Sequence, residues 1–174
     1  MKYVTVCILV GLAIVGFLLY YGLNNSMPVK YAYYKKGKIT PEEYLGFCDG
    51  QIASNRHWAK FEKRSNIQFY KALAYTRAED YVNAAIEARS AILSYSGNAE
   101  AHFLLIIIRL REHKGEEAIA ALDYIRILAE GKGGGTALEK QLDLMESAIL
   151  KEIDSGYTTD LDTLLTLFFG YKPY

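Results

Sequence analysis

The sequence predicts an all-α protein, with a single N-terminal transmembrane helix followed by a solenoid of helical hairpins and capping helices. Three observations carry this prediction. Residues 3–23 are almost wholly apolar and contain no Asp, Glu, Lys, Arg or His. Helix start signals recur along the remainder, and no stretch shows the sustained alternation of a strand. At 174 residues, the chain has room for one span and one compact domain, which excludes a multidomain enzyme.

The stretch 3–23 is long enough to cross a bilayer, because its 21 residues at about 1.5 Å each extend about 31 Å. A cleaved signal peptide is the alternative, since Lys2 before an apolar core also begins such a peptide. The run is longer than usual for a signal peptide, and no small-x-small cleavage site follows it. We therefore expect an uncleaved anchor over 1–24 and a single-pass protein of a bacterial inner membrane.

A basic and aromatic linker is expected over 25–39, where tyrosines alternate with lysines. Such residues gather where a span leaves the bilayer. The lysines after the apolar stretch favour a cytoplasmic location for the domain by the positive-inside rule. Anchors with a short N-terminal tail can also place the domain outside the cytoplasm, so the side of the membrane stays open. The predicted membrane-interface residues are Tyr20, Tyr21, Tyr31, Tyr33, Tyr34, Lys35, Lys36 and Lys38.

Helix start signals mark the rest of the chain. Thr40-Pro41-Glu42-Glu43 combines an N-cap residue, a proline at the first helical position and an acid three residues on. The same pattern of a threonine with an acidic residue three positions later recurs at Thr136 with Glu139 and at Thr159 with Asp162. One helical domain is therefore expected over 40–174, with capping helices at about 41–56, 136–154 and 159–169 and further helices near 57–78, 81–95, 99–113 and 115–130.

An internal repeat is the most informative pattern in this domain. Residues 65–98 and 99–132 align at a shift of 34 positions, which places Ala84 on Ala118. The first copy has small, aromatic, small and small residues at Ala72, Tyr75, Ala84 and Ala91. This pattern resembles the tetratricopeptide repeat (TPR), a pair of helices with a period of 34 residues. The second copy keeps only Ala118 and both copies lack the closing proline, so a generic helical bundle stays open as the alternative.

The resemblance implies that the first helix of each pair lines a concave, protein-binding face. In some TPR proteins, basic residues on this face bind the terminal carboxylate of a peptide. Here most of the corresponding positions are apolar, which favours an amphipathic helix as the ligand of the groove. The candidate partner-binding residues are Phe69, Leu73, Arg77, Phe103, Ile107 and Arg111. The segment 159–169 can also fill this groove, and we expect such self-capping because an empty apolar groove favours aggregation.

No residue pattern indicates catalysis, so we expect no enzyme, no cofactor and no metal. His57, His102 and His113 lack the spacing of metal ligands. Cys48 has nothing beside it that marks a nucleophile, and the glycine-rich stretch 131–136 lacks the residue order of a phosphate-binding loop. The acidic residues of the helix that begins at Thr136 are expected on a solvated face. They are Glu139, Asp143, Glu146, Glu152 and Asp154.

The expected function is a non-enzymatic, membrane-anchored adaptor that docks other proteins, integral membrane proteins among them. Residues 3–23 would hold it in the lipid bilayer. Nucleic acid is not an expected partner, because fifteen basic residues face twenty acidic ones from Glu42 onward. The alternative function is a structural accessory subunit of a larger membrane protein complex.

Overall fold

The computed structural model describes residues 26–54, 61–130, 136–156 and 161–169, and these ranges contain eight α-helices and no strand. The predicted all-α character is confirmed. The helices are α1 (Met27–Lys35), α2 (Pro41–Ser54), α3 (Phe61–Arg77), α4 (Tyr81–Ser94), α5 (Ala99–Arg111), α6 (Gly115–Glu130), α7 (Thr136–Ser155) and α8 (Leu161–Phe169).

The chain divides into two compact units, Met1–Gly50 and Gln51–Tyr174. In the first unit, α1 begins with a proline in its first turn. The start of α2 is a reciprocal capping box, in which the Glu43 amide donates to Thr40 Oγ1 at 3.2 Å and the Thr40 amide donates to Glu43 Oε2 at 2.8 Å. These two bonds satisfy donors that the first helical turn leaves free, as the sequence predicts.

The second unit is built from antiparallel neighbours, with α3 packed on α4, α4 on α5, α5 on α6 and α6 on α7. The side-chain contacts show the direction of the last pair. Gly115 at the start of α6 faces Ile153 near the end of α7, whereas Arg126 near the end of α6 reaches Glu146 in the middle of α7. Short connections impose this arrangement, because a few residues return a helix only to its neighbour.

The two turns inside the hairpins share one backbone geometry, 34 residues apart. Glu79 and His113 both adopt a left-handed conformation, with φ of 59° and 56°. The amides of Asp80 and Lys114 each bond the carbonyl five residues earlier, at 2.9 Å and 3.0 Å, which is the Schellman motif. The 34-residue period is therefore present in the backbone of these helices, while membership of the TPR family stays a prediction.

A buried polar link joins α3, α4 and α5. Asn98 Nδ2 donates to Ser65 Oγ at 2.8 Å, and the Ser65 hydroxyl donates to the Ala91 carbonyl at 2.7 Å. Asn98 Oδ1 also accepts from the Ala101 amide at 3.0 Å and so caps α5. Asn98 and Ser65 are both buried. Solvent water therefore cannot replace the hydrogen bond between their side chains if either residue is changed.

The structure corrects the membrane part of the predicted fold. In the described ranges, none of the helices has both the length and the apolar composition that a bilayer crossing requires. The longest, α7, has 20 residues but carries acidic and basic side chains, and the strongly apolar α8 has only nine, whereas a span needs about 20 apolar residues. This finding overturns the predicted N-terminal transmembrane helix and the single-pass membrane location. Residues 3–23 lie outside the described ranges.

Candidate functional site

The six candidate partner-binding residues lie on α3 and α5, at corresponding places in the two hairpins. Phe69, Leu73, Phe103 and Ile107 are buried, and together they form the α3–α5 groove. Arg77 is half-buried and Arg111 is exposed. The four apolar members are therefore not an open surface in this structure.

The helix α8 covers this groove. The ring of Phe168 lies 5.0 Å from that of Phe103, and the ring of Phe169 lies 5.4 Å from that of Phe69. Leu164 and Leu165, one turn earlier, are also buried. Aromatic pairs at these distances contribute favourable contacts beyond the burial of their area. The expected self-capping by the segment 159–169 thus matches the position of α8.

The path of α8 departs from the order of the preceding helices, because it packs on α5. The end of α7 lies beside Gly115, close to the end of α5. The ring of Phe168, near the end of α8, lies beside Phe103 near the start of α5.

The two arginines have different surroundings. The guanidinium of Arg111 lies 5.7 Å from the centre of the Tyr81 ring, and among the described residues it forms no ion pair. Arg109, two residues earlier in α5, instead bonds Glu112 at 2.8 Å and Glu117 at 3.3 Å. Arg111 is therefore an exposed positive charge at the end of the groove where α5 ends.

The opposite end of the groove is polar and partly acidic. Glu100 is exposed in the first turn of α5, and Tyr70 lies beside Phe69 with a ring separation of 5.5 Å. Burial, and to a lesser extent the charge of Glu100, raises the pKa of Tyr70 above 10.0. The tyrosine is neutral at physiological pH, so the acidic charge at this end comes from Glu100.

The histidines do not form a catalytic cluster in the described residues. The ring of His102 is buried, its Nε2 lies 3.0 Å from the Ser96 carbonyl, and it packs against Tyr124. Burial lowers the pKa of His102 below 6.5, so the ring is neutral at pH 7 and Nε2 donates to Ser96. His113 is exposed at a helix turn, and His57 lies outside the described ranges.

No group of three or more His, Cys, Asp or Glu residues in the described ranges could hold a metal ion. Cys48 is a buried thiol within α2. The glycines 131–135 lie outside the described ranges.

A cavity of about 550 Å³ opens where α6 begins and α7 ends. His113, Gly115 and Glu152 line it, and His113 Nδ1 lies 3.4 Å from Glu152 Oε1. Glu152 is only 6% exposed, so the predicted solvated acidic face is incorrect at this residue. Sequence reasoning missed this cavity. The available signal was a glycine at the first position of α6, where a close helix crossing excludes a larger residue.

The remaining acidic residues of α7 behave differently. Asp143 and Glu139 are exposed, and Asp143 and Glu146 both lie within ion-pair distance of Arg126, at 3.5 Å and 2.5 Å. Exposed pairs of this kind contribute about 0–1 kcal/mol each. They fix the neighbouring surfaces of α6 and α7 rather than build a reactive site.

The predicted membrane-interface residues form a small aromatic core within the first unit. Tyr34 stacks on Tyr44 at 5.1 Å and Tyr31 packs on Tyr44 at 5.8 Å, and all three rings are buried. The ammonium groups of Lys35 and Lys38 lie over the rings of Tyr31 and Tyr33, at 5.3 Å and 5.4 Å. Lys36 is exposed, and Tyr20 and Tyr21 lie outside the described ranges. The cluster packs inward, which differs from an aromatic belt facing lipid.

Comparison of the chain with known protein families, with curated proteins and with solved structures found no match.

Proposed function

We propose that the second unit is a protein-binding module whose α3–α5 groove receives an amphipathic helix of another protein. The observation that carries this proposal is the seated helix α8. Its apolar residues recur at the i, i+1, i+4 and i+5 positions Leu164, Leu165, Phe168 and Phe169, and they are buried or in contact with the groove. Helix-in-groove recognition uses such anchors on one face of the bound helix.

The chemistry of the groove supports binding over catalysis. Its walls are aromatic and aliphatic, and its polar groups lie at the two ends, with Arg111 at one and Glu100 at the other. A surface with an apolar centre and a polar rim is typical of a protein interface. No described residue in the groove supplies a nucleophile or a general base next to another reactive group.

A second candidate function is a permanent accessory subunit of a larger assembly. Exposed apolar side chains on α4 favour it, because Val82, Ile86 and Leu93 are 70%, 53% and 87% exposed. They lie on one side of the helix at the spacings i, i+4 and i+11. Large apolar side chains grouped on an exposed face are costly unless a partner covers them.

Site-specific photo-cross-linking separates these functions. A photoreactive phenylalanine is placed in the full chain at Glu100, at the rim of the groove, or at Leu93, on the exposed face of α4. A third variant carries it at Asp123, an exposed position of α6, as the control. The proteins are irradiated in cells of the native source, and the cross-linked peptides are identified by mass spectrometry.

We expect the Glu100 position to link to an amphipathic helical segment of another protein, with little product from the Asp123 control. Links from the Leu93 position alone, at a fixed molar ratio to the partner, would favour the accessory subunit. Equal yields from all three positions would contradict specific binding in the groove.

A further inference from the structure

The cavity between the start of α6 and the end of α7 has the volume and the side chains of a small-molecule site. We infer that it binds an aliphatic diamine, with one ammonium group on the buried carboxylate of Glu152 and the other at Glu116. Its volume of about 550 Å³ lies within the usual range of ligand pockets. None of the groove residues lines it, so this inference goes beyond the proposed function and does not depend on it.

The first step concerns the buried carboxylate. Glu152 lines the cavity and is only 6% exposed. Within the described ranges, its carboxylate has one ion-pair partner, His113 Nδ1, at 3.4 Å, which is long for a hydrogen bond. The exposed histidine compensates the negative charge only when it is protonated. A buried carboxylate needs a positive charge or hydrogen-bond donors beside it, and an ammonium group in the cavity supplies both.

The second step concerns the other charges of the cavity wall, which are Lys114, Glu116 and Glu117. The Lys114 ammonium group bonds Glu112 at 3.0 Å, and the Glu117 carboxylate pairs with Arg109 at 3.3 Å. Glu116 is exposed and forms no ion pair with a described residue. It therefore adds an uncompensated negative charge on the exposed side of the cavity.

The third step concerns the two helix ends. The N-terminus of α6 carries a partial positive charge and the C-terminus of α7 a partial negative one. Both ends line the cavity, through Gly115 and Gly156, so their fields oppose each other there. The side chains then decide the sign of the ligand. Carboxylates favour a cation over the anion that a helix N-terminus alone would bind.

The fourth step distinguishes an organic cation from a metal ion. No group of His, Cys, Asp or Glu in the described ranges has the arrangement of a metal site. Ile153 lines the cavity and is 44% exposed, which gives the wall an apolar part. Methylene groups that cover such a side chain gain from leaving water, whereas a hydrated metal ion does not. Two carboxylates and an apolar wall together fit an alkyl chain with an ammonium group at each end.

The probe for the test is cadaverine, a linear diamine, and pentylamine is the monoamine of the same length. Isothermal titration calorimetry measures their binding to the full chain near neutral pH and at low ionic strength, where exposed charges are least screened. The variants are Glu152→Gln, Glu116→Gln and His113→Asn. Asparagine is chosen because residue 113 has a φ of 56°, which asparagine adopts readily. Circular dichroism and size-exclusion chromatography establish that each variant is folded.

We expect the wild-type chain to bind cadaverine at a single saturable site. Glu152→Gln should weaken this binding at least about tenfold, because it removes the buried charge. Glu139→Gln removes the same charge at an exposed position of α7 and is the matched control, which should leave the affinity unchanged. No saturable binding by the wild-type chain would overturn the site, and so would equal affinities of the Glu152→Gln and Glu139→Gln variants.

The variant His113→Asn separates the carboxylate from its ion pair. It removes the partner of Glu152 and keeps the negative charge, so it should bind cadaverine at least as tightly as the wild-type chain does. A loss as large as that of Glu152→Gln would show that the ion pair shapes the cavity, and would overturn the role of the carboxylate.

Glu116→Gln tests the second ammonium group, and its outcome does not depend on whether Glu152→Gln folds. It should weaken cadaverine binding about two- to fivefold, as expected for an exposed ion pair, and leave pentylamine binding unchanged. Equal effects on the two amines would overturn the assignment of a diamine.

Discussion

At the residue scale, Asn98 is a buried polar side chain that links three helices of the second unit. It caps α5 and bonds Ser65 in the interior. We expect Asn98→Ala to lower the free energy of unfolding by about 2–3 kcal/mol, since it removes a cap and leaves the Ser65 hydroxyl with one fewer partner. Urea denaturation of the full chain measures this loss.

The control is Asp80→Ala. Asp80 caps α4 by accepting from the Asn83 amide at 3.1 Å, but it makes no buried link. Its loss should cost about 1 kcal/mol. Equal losses in the two variants would show that the bond between Asn98 and Ser65 contributes nothing beyond the cap.

Residue roles were only partly predictable from the sequence. The break at 96–98 is visible because serine, glycine and asparagine favour turns. The burial of Asn98 and Glu152 is not visible, since it depends on which helices cover them. For Phe69 and Phe103, the residue types indicate an apolar strip, and the apolar pattern of 159–169 indicates the segment that covers it.

At the element scale, local signals placed most helix starts correctly. The structure begins α4, α5 and α6 at residues 81, 99 and 115, where the sequence predicts them. The helix α1, in contrast, lies where the sequence analysis predicts a linker, although Ser26 followed by Pro28 is a helix start signal. Alternating lysines and tyrosines are also typical of a bilayer interface, so this composition masks the local helix signal.

The crossing of α6 and α7 depends on Gly115. A Cβ added there would lie 2.6 Å from Ile153 Cγ1 and would also meet the buried carboxylate of Glu152. We therefore expect Gly115→Ala to lower the free energy of unfolding by about 1–2 kcal/mol, although alanine normally favours a helix over glycine. Thermal unfolding followed by circular dichroism provides the measurement.

Gly46→Ala is the matched control, because Gly46 lies within α2 with open space around its Cα. This change should raise stability by about 0.5–1 kcal/mol. If Gly115→Ala also raises the stability, the space between Gly115 and Ile153 is wide enough for a methyl group, which would contradict the close crossing of α6 and α7.

At the scale of the whole molecule, acid should reduce stability in two separate pH ranges. Burial lowers the pKa of His102 below 6.5, so the unfolded chain binds the proton more readily. The contribution of His102 is complete above pH 6.5 and is lost as the pH falls through the folded pKa. Lys114, and after it Arg109, lowers the pKa of Glu112 below 4.5, so its contribution is lost only at lower pH.

Chemical denaturation at a series of pH values tests this expectation. The variant His102→Gln should flatten the dependence of stability on pH just below 6.5, because an amide does not titrate. Glu112→Gln should leave that range unchanged and alter only the range below 4.5. A His102→Gln variant with the slope of the wild-type chain would assign the upper range to another group.

For the whole fold, as for single residues, local features are predictable from the sequence and most long-range contacts are not. Helical periodicity and the 34-residue shift come from local contacts, so the hairpin array could be foreseen. The expectation of a membrane-spanning helix rested on an apolar run that lies outside the described residues, and none of the helices described is long and apolar enough to cross a membrane. The occupant of the groove is expected from the sequence, because the amphipathic pattern of 159–169 matches the apolar strip.

The ring contact between Phe69 and Phe169 joins residues one hundred positions apart, whereas each hairpin turn joins neighbours in the chain. Contacts between distant residues form slowly, because closing a long loop costs entropy before it is rewarded. The hairpins should therefore assemble first and α8 should dock last. During synthesis, the groove stays uncovered until the ribosome has released α8, and for that interval Phe69 and Phe103 are the part of the core most exposed to chaperones and to aggregation.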